Sequence, residues 1–272
     1  MNKYSVFRHP AVRTLVFVMI SSLAGFASVI GTFDRSFQVS GPVDLEVLTR
    51  SGDITIRTGS SGSVSIHAKI HSGNSWFSGD NKPEVQELQN NPPIRQNGNS
   101  IRIDYVNLRN ISVDYEITVP EDTTVRAHTG SGDQTVEGLR GNTDLESGSG
   151  DLRLARLTGD LHFQTGSGNV RGSQISGPAR GKAGSGDIRG EGTPKNLWSI
   201  RTGSGNVTLR VPSDLAFDVD VSTSSGSVTM GHPVTTTIQG RVQESRKSIV
   251  GKVRGGGPTI SVHTGSGDIH VQ

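Results

Sequence analysis

The chain has 272 residues, 36 of them Gly and none Cys, with 5% aromatic and 19% charged residues. The absence of Cys excludes disulfides, thiolate metal sites, Cys nucleophiles and a lipid-modified N-terminal Cys. The formal net charge is +2, but Lys3, Arg8 and Arg13 lie in the first 31 residues, which hold no acid. The remainder carries 24 basic against 25 acidic residues, a net of −1, with no basic stripe of the kind nucleic acid requires.

Residues 1–31 read as a secretory signal. A basic start precedes sixteen uncharged residues from Leu15 to Ile30. Ala27 and Gly31 offer cleavage points but no clean A-x-A site, so an N-terminal membrane anchor is the alternative. Either outcome places residues 32–272 outside the cytoplasm: periplasm, cell surface or secreted.

The first interruption after the leader is residues 71–100. It holds Trp76 and Phe77, a short helix expected near 83–91, and the kinked Asn91–Pro93. Strands are expected over 101–106 and 111–119. This section suits a cap or brace at one end of a repeat array.

The array itself is marked by G-S-G-[D/N]. It occurs at Gly130–Asp133, Gly148–Asp151, Gly166–Asn169, Gly184–Asp187, Gly203–Asn206 and Gly265–Asp268. Shorter variants occur at Ser51–Asp53, Ser61–Ser63 and Ser225–Ser227. The Asp/Asn positions step by 18, 18, 18 and then 19, with 21 more to Ser227 and 41 from there to Asp268, read as about two coils with an insertion. Apolar residues keep the same register, as in the column Leu152, Val170, Ile188. They alternate with polar ones, as in Asp151–Leu154, so each unit holds short strands with one face inward. No unit can bury that face alone, whereas stacked units can. The prediction is an all-β, single-chain parallel β-solenoid (β-helix) of about 18–20 residues per coil. Gly172, Gly181, Ala183 and Gly190 in inward columns imply a flattened core. A β-sandwich also accommodates strands at this spacing, but the regular register favours the solenoid. Collagen is excluded because Gly does not recur every third position, and disorder by the persistent apolar alternation.

The second interruption, residues 231–257, contains Arg241, Arg246, Lys247, Lys252 and Arg254. It reads as an exposed hairpin or loop and a candidate interaction site.

Candidate chemistry is sparse. Calcium β-rolls have an 18-residue coil, but there one residue separates Gly from the acid, and here the acid follows Gly directly. The ladder Asp133, Asp151, Asn169, Asp187, Asn206, Asp268 also mixes carboxylates with amides, whereas a cation ladder favours carboxylates throughout. The ladder is therefore read as structural, with Asp and Asn accepting backbone N–H bonds in tight turns. Paired carboxylates in an aromatic-lined groove, a G-x-S-x-G elbow and a clustered His set are all missing from the sequence pattern. No catalytic residue, metal or cofactor is assigned, and the chain is not expected to be an enzyme.

The T-G-S-G-[D/N] repeats at 129–133, 165–169, 202–206 and 264–268, the stretch Asn91–Ile103 and the leader resemble the bacterial putative-adhesin family of β-strand-repeat proteins, a domain of unknown function. Asp114–Pro120 shares the likeness, which spans about residues 33–272. The resemblance implies a bacterial, extracytoplasmic β-solenoid. The family name suggests adhesion, and some relatives are linked to envelope-stress signalling. The expected function is a non-catalytic, adhesin-like surface or envelope binding module. Its partner would be an envelope or surface ligand, protein or polysaccharide. An accessory or sensor domain in envelope-stress signalling and a calcium-binding β-roll are the alternatives.

Overall fold

The structure, a computed structural model, describes residues 28–72, 82–235 and 247–272. The expected leader lies outside these, apart from its last residues, which open the first strand. The N-terminal section comprises β1 (Ser28–Gln38), β2 (Asp44–Ser51), β3 (Ile54–Thr58), β4 (Ser63–Ser72), the helix α1 (Lys82–Asn90), β5 (Ile94–Asn97), β6 (Ser100–Ile103) and β7 (Ile111–Val119). Five two-strand coils follow: β8 (Thr124–Ser131) with β9 (Gln134–Glu137), β10 (Thr143–Ser149) with β11 (Leu152–Leu157), β12 (Leu161–Ser167) with β13 (Val170–Ile175), β14 (Ala179–Ser185) with β15 (Ile188–Gly192), and β16 (Trp198–Ser204) with β17 (Val207–Arg210). The chain ends in β18 (Phe217–Ser225), β19 (Val228–Met230), β20 (Ser248–Val253), β21 (Thr259–Ser266) and β22 (Ile269–Val271).

These strands form two sheets of eleven among the described residues. Sheet I runs β5-β6-β2-β8-β10-β12-β14-β16-β21-β18-β20, and sheet II runs β1-β4-β7-β3-β9-β11-β13-β15-β17-β22-β19. Each coil gives its first strand to sheet I and its second to sheet II, so the molecule is a flattened, two-faced parallel solenoid. The 18-residue step is visible in the register, where Thr143, Leu161 and Ala179 pair in succession. Inward columns fill the space between the sheets. One of them, in register, is Leu145, Phe163, Gly181, Ile200 and Val262, and all five residues are buried. Gly181 is required there because a Cβ on it would lie 2.0 Å from the Phe163 ring. Phe163 thus occupies the layer above it as well as its own.

The stacking order is not the chain order. β6 and β7 form the outermost parallel coil, outside β2 and β3, although they come later in the sequence. At the other end, β21 and β22 insert between β16–β17 and β18–β19. The 41-residue step from Ser227 to Asp268 is therefore not an insertion within an onward-running array. The last coil folds back into a gap left by the one before it.

Both ends carry antiparallel strands. β4 and β1 extend sheet II beyond β7, and β5 extends sheet I beyond β6. Helix α1 lies against β1, burying Val85 and Leu88, which are three apart on one helical face. Gln89 Nε2 donates to the Thr32 carbonyl at 2.8 Å and Arg35 Nη2 donates to the Gln89 carbonyl at 2.9 Å. This satisfies polar groups that an open sheet edge would expose. At the far end β20 pairs antiparallel with β18. The segment 231–257 is thus partly a strand, because Val253 is buried and β20 completes the edge of sheet I. The sequence reads this segment as an exposed hairpin or loop, and its described part differs from that in burying Val253.

Candidate functional site

The G-S-G-[D/N] corner joins the two sheets and repeats down one side of the molecule. Its second Gly takes a positive φ in coil after coil; at Gly150 φ is 147° and a Cβ would lie 2.0 Å from the Gly132 carbonyl oxygen. No other residue fits a corner stacked this closely. The following Asp or Asn extends its side chain to the next coil. The backbone N–H of Asp151 donates to Asp133 Oδ1 at 2.8 Å, that of Asn169 to Asp151 Oδ1 at 2.8 Å, and that of Asp187 to Asn169 Oδ1 at 3.1 Å. The series continues from Asn206 to Asp187, from Asp268 to Asn206 and from Ser227 to Asp268. It also extends the other way, with Asp133 donating to Asp53 and Asp53 to Asp114.

The ladder is thus one hydrogen-bonded spine. Its side-chain acceptors serve the neighbouring coil, where the sequence pointed only to acceptors within a turn. Asp114 was not recognised as a rung because S-V-D-Y lacks the G-S-G mark. Backbone donation from Asn169, reinforced by the Asn169 amide, holds the Asp151 carboxyl below the usual carboxylate range. The Ser227 N–H and hydroxyl do the same for Asp268.

Two residues after the ladder, on the outer face of sheet II, stands a column of arginines. Arg153, Arg171 and Arg189 pair in register on β11, β13 and β15. Each is fixed by the spine. Arg153 Nη1 lies 2.6 Å from Asp133, Arg171 Nη1 3.3 Å from Asp151, and Arg189 Nη2 2.9 Å from Asp187. The sequence shows this column through its 18-residue spacing, but the reading above passed over it.

Beside the column the sheet surface is recessed. Gly172 and Gly190 stand where Leu154 and Leu209 fill the same inward row, and Ala155 and Ser173 are short on the outer row. A hollow of about 570 Å³ results, walled on one side by the arginines and on the other by Glu137, Glu191 and Arg210, with His270 and Gln272 at one end. It continues past Glu191 and Arg210 into a second hollow bordered by Gln174, Gly192 and Pro212. Strand ends here are bent. Arg156 and Gln174 take φ of 55° and 54°, which returns Leu157 and Ile175 to the core. The arrangement offers guanidinium donors about 4.8 Å apart along the solenoid axis, faced by carboxylate acceptors. That suits an extended ligand lying along the axis and presenting repeated polar groups.

The predicted basic cluster is not assembled in this way. Lys247 Nζ donates to the Ser224 carbonyl at 3.2 Å, Lys252 lies 4.0 Å from Asp218, and Arg254 Nε donates to the Ser213 carbonyl at 3.1 Å. These three tie β20 and its flanks to the end of the array. Arg241 and Arg246 lie outside the described residues, as do Trp76 and Phe77. Among the described residues no group of three or more His and acidic side chains is placed to hold a metal ion.

Fold and spine together define a flattened, two-sheeted parallel β-solenoid. Residues 163–272 match the family model described as Toastrack DUF4097. Solved structures similar to this chain include a putative adhesin from Bacteroides fragilis, at 11% identity and a TM-score of 0.41, covering 89% of this chain and 98% of that one. A putative cell adhesion protein from Clostridium sporogenes is similar at 12% identity and a TM-score of 0.36, covering 89% and 99%. A putative adhesin from Parabacteroides distasonis is similar at 10% identity and a TM-score of 0.24, covering 89% and 97%. No curated protein matches the chain.

Proposed function

We propose that the chain is a non-catalytic, extracytoplasmic binding module of a bacterial envelope or surface, adhesin-like in role, and that the sheet II recess is its contact surface. The observation carrying this reading is the recess itself, a hollow edged by three arginines held in register. Its ligand is an extended envelope or surface polymer, polysaccharide or protein. The leader, with three basic residues ahead of an apolar stretch, supports export. A non-catalytic role is supported by the repetition of one polar pattern in successive coils, where catalysis uses a single convergent set of groups. Glu137, on the recess wall, is already engaged by Arg156 at 3.3 Å.

Filling the recess tests the reading. Ala155→Tyr with Ser173→Tyr should leave the far-ultraviolet β signal intact and cut co-sedimentation of the full chain with bacterial envelopes at least tenfold. Equal co-sedimentation of parent and variant would remove the recess from the account.

A further inference from the structure

The outer face of sheet I balances its charges across strands until it reaches β14. Glu46 pairs with Arg102 on one neighbouring strand and stands opposite Arg126 on the other. Arg126 stands opposite Asp144, His128 opposite Glu146, and His162 lies 2.8 Å from Asp144. Opposite charges facing each other in this way stabilise a sheet, and like charges directly opposite weaken it.

At β14 and β16 the pattern stops. Lys182 stands directly opposite Arg201, and Arg180, two residues before Lys182 on the same face, stands between His162 and Ser199. All three cations are exposed, and among the described residues none has an acidic partner. Their remaining neighbours in register are Gln164 and His263, so every side chain around them in register is polar. Strand spacing sets Lys182 and Arg201 about 4.8 Å apart, and Arg180 about 7 Å from Lys182.

Carboxylates come only one strand further out, Asp144 beside His162 and Asp220 beside His263, and the half of the chain that holds the patch is positive overall. Residues 32–160 hold 12 basic and 18 acidic residues, a net of −6, whereas residues 161–272 hold 12 basic and 7 acidic, a net of +5. Coils from the two parts occupy opposite ends of the sheets, so the solenoid is electrically polar along its axis, and the unpaired cations lie in the positive part.

We infer that this patch on sheet I, centred on Arg180, Lys182 and Arg201, is a docking surface for a linear polyanion, a hydrated chain bearing repeated sulfate, phosphate or carboxylate groups. A like-charge pair kept in register without an acid costs stability, and an anionic partner offsets that cost. A flat face with no apolar side chain among these cations suits a solvated polymer more than insertion into lipid. The surface is on the opposite sheet from the recess and does not depend on the reading given for it.

The test uses the full chain and immobilised dextran sulfate, with neutral dextran as control. The parent should bind dextran sulfate only. Arg180→Ser/Lys182→Ser/Arg201→Ser should lose at least tenfold in affinity, and its slope of log affinity against log salt should fall by about 3, one for each cation removed. Arg57→Ser/Arg126→Ser/Arg140→Ser removes the same charge from residues paired with acids and should stay within twofold of the parent. If the first variant does not fold, Lys182→Gln alone is read in the same way, with a slope change of about 1. Equal losses in the two triple variants, or none in the first, would overturn the proposal. So would tighter binding to phosphatidylglycerol vesicles than to dextran sulfate, or self-association of the parent that the first variant abolishes.

Discussion

Ser227 donates its backbone N–H to Asp268 Oδ1 at 2.8 Å, and its hydroxyl reaches the same oxygen at 2.9 Å. These residues are 41 apart in sequence and one coil apart in space. The bond closes the spine at the end of the array, and it exists because the last coil of the chain is not the last coil of the stack.

The spine makes the fold sensitive to acid. Asp151 and Asp268 are held below the ordinary carboxylate range by the N–H groups they accept. Depressed folded values contribute stability above the unfolded carboxyl range, near pH 4, that is lost as pH falls through the lowered folded values. Asp151→Asn keeps the acceptor, as Asn169 and Asn206 do naturally. It should change neutral stability little and reduce the loss on acidification. Asp151→Ala removes the acceptor from the Asn169 N–H and should cost about 1–3 kcal/mol at neutral pH. Urea denaturation of the three proteins between pH 3 and 7 measures both effects, and equal stability of the Ala variant and parent would show the spine to be incidental.

Gly181 and Phe163 form one packing unit. Gly181→Ala places a methyl group against the ring and should destabilise by about 1–3 kcal/mol. Adding Phe163→Leu frees the space and should recover a good part of that loss, giving a coupling beyond the sum of the single changes. Thermal and urea unfolding of the four members of this cycle provide the measurement. Additive effects would place the Phe163 ring elsewhere.

Deleting residues 259–272 should do far more than shorten the array. In a solenoid stacked in chain order, loss of the final coil trims one end and leaves the rest standing. Here it withdraws Ile260, Val262, Ile269 and Val271, all buried, from between two other coils. It also leaves β18 and β19 without their parallel partners. The expected result is loss of cooperative unfolding and rapid trypsin cleavage within residues 212–258. A truncated chain melting within a few degrees of the parent would contradict the interleaved order.

Much of this architecture was legible because the chain repeats. The 18-residue step places Leu152, Val170 and Ile188 in one column before any coordinate is known, and the observed register keeps them there. The same arithmetic reaches Arg153, Arg171 and Arg189. Their importance was missed because a surface Arg in a strand is unremarkable until its neighbours on the next coil are counted. The coil order was not legible. Sequence spacing fixes which residues can share a column, but nothing in residues 259–272 marks them as belonging inside the stack. Asp114 was hidden for a related reason, since its role depends on Asp53 lying beside it and not on the residues flanking it. The basic residues of 231–257 looked like a site because they cluster in sequence. The strand pairing of β20 distributes those that are described along the end of the array.

The interleaved final coil also bears on how the protein comes into being. A solenoid that grows in one direction can set each turn on the previous one as synthesis or export delivers it. Here β16–β17 and β18–β19 can reach their final neighbours only after residues 259–272, which lie between them, have emerged. Completion of this part of the stack is therefore tied to the arrival of residues 259–272. A polypeptide stopped before residue 259 would lack the keystone of this arch, leaving apolar strand faces uncovered for quality-control proteases to find.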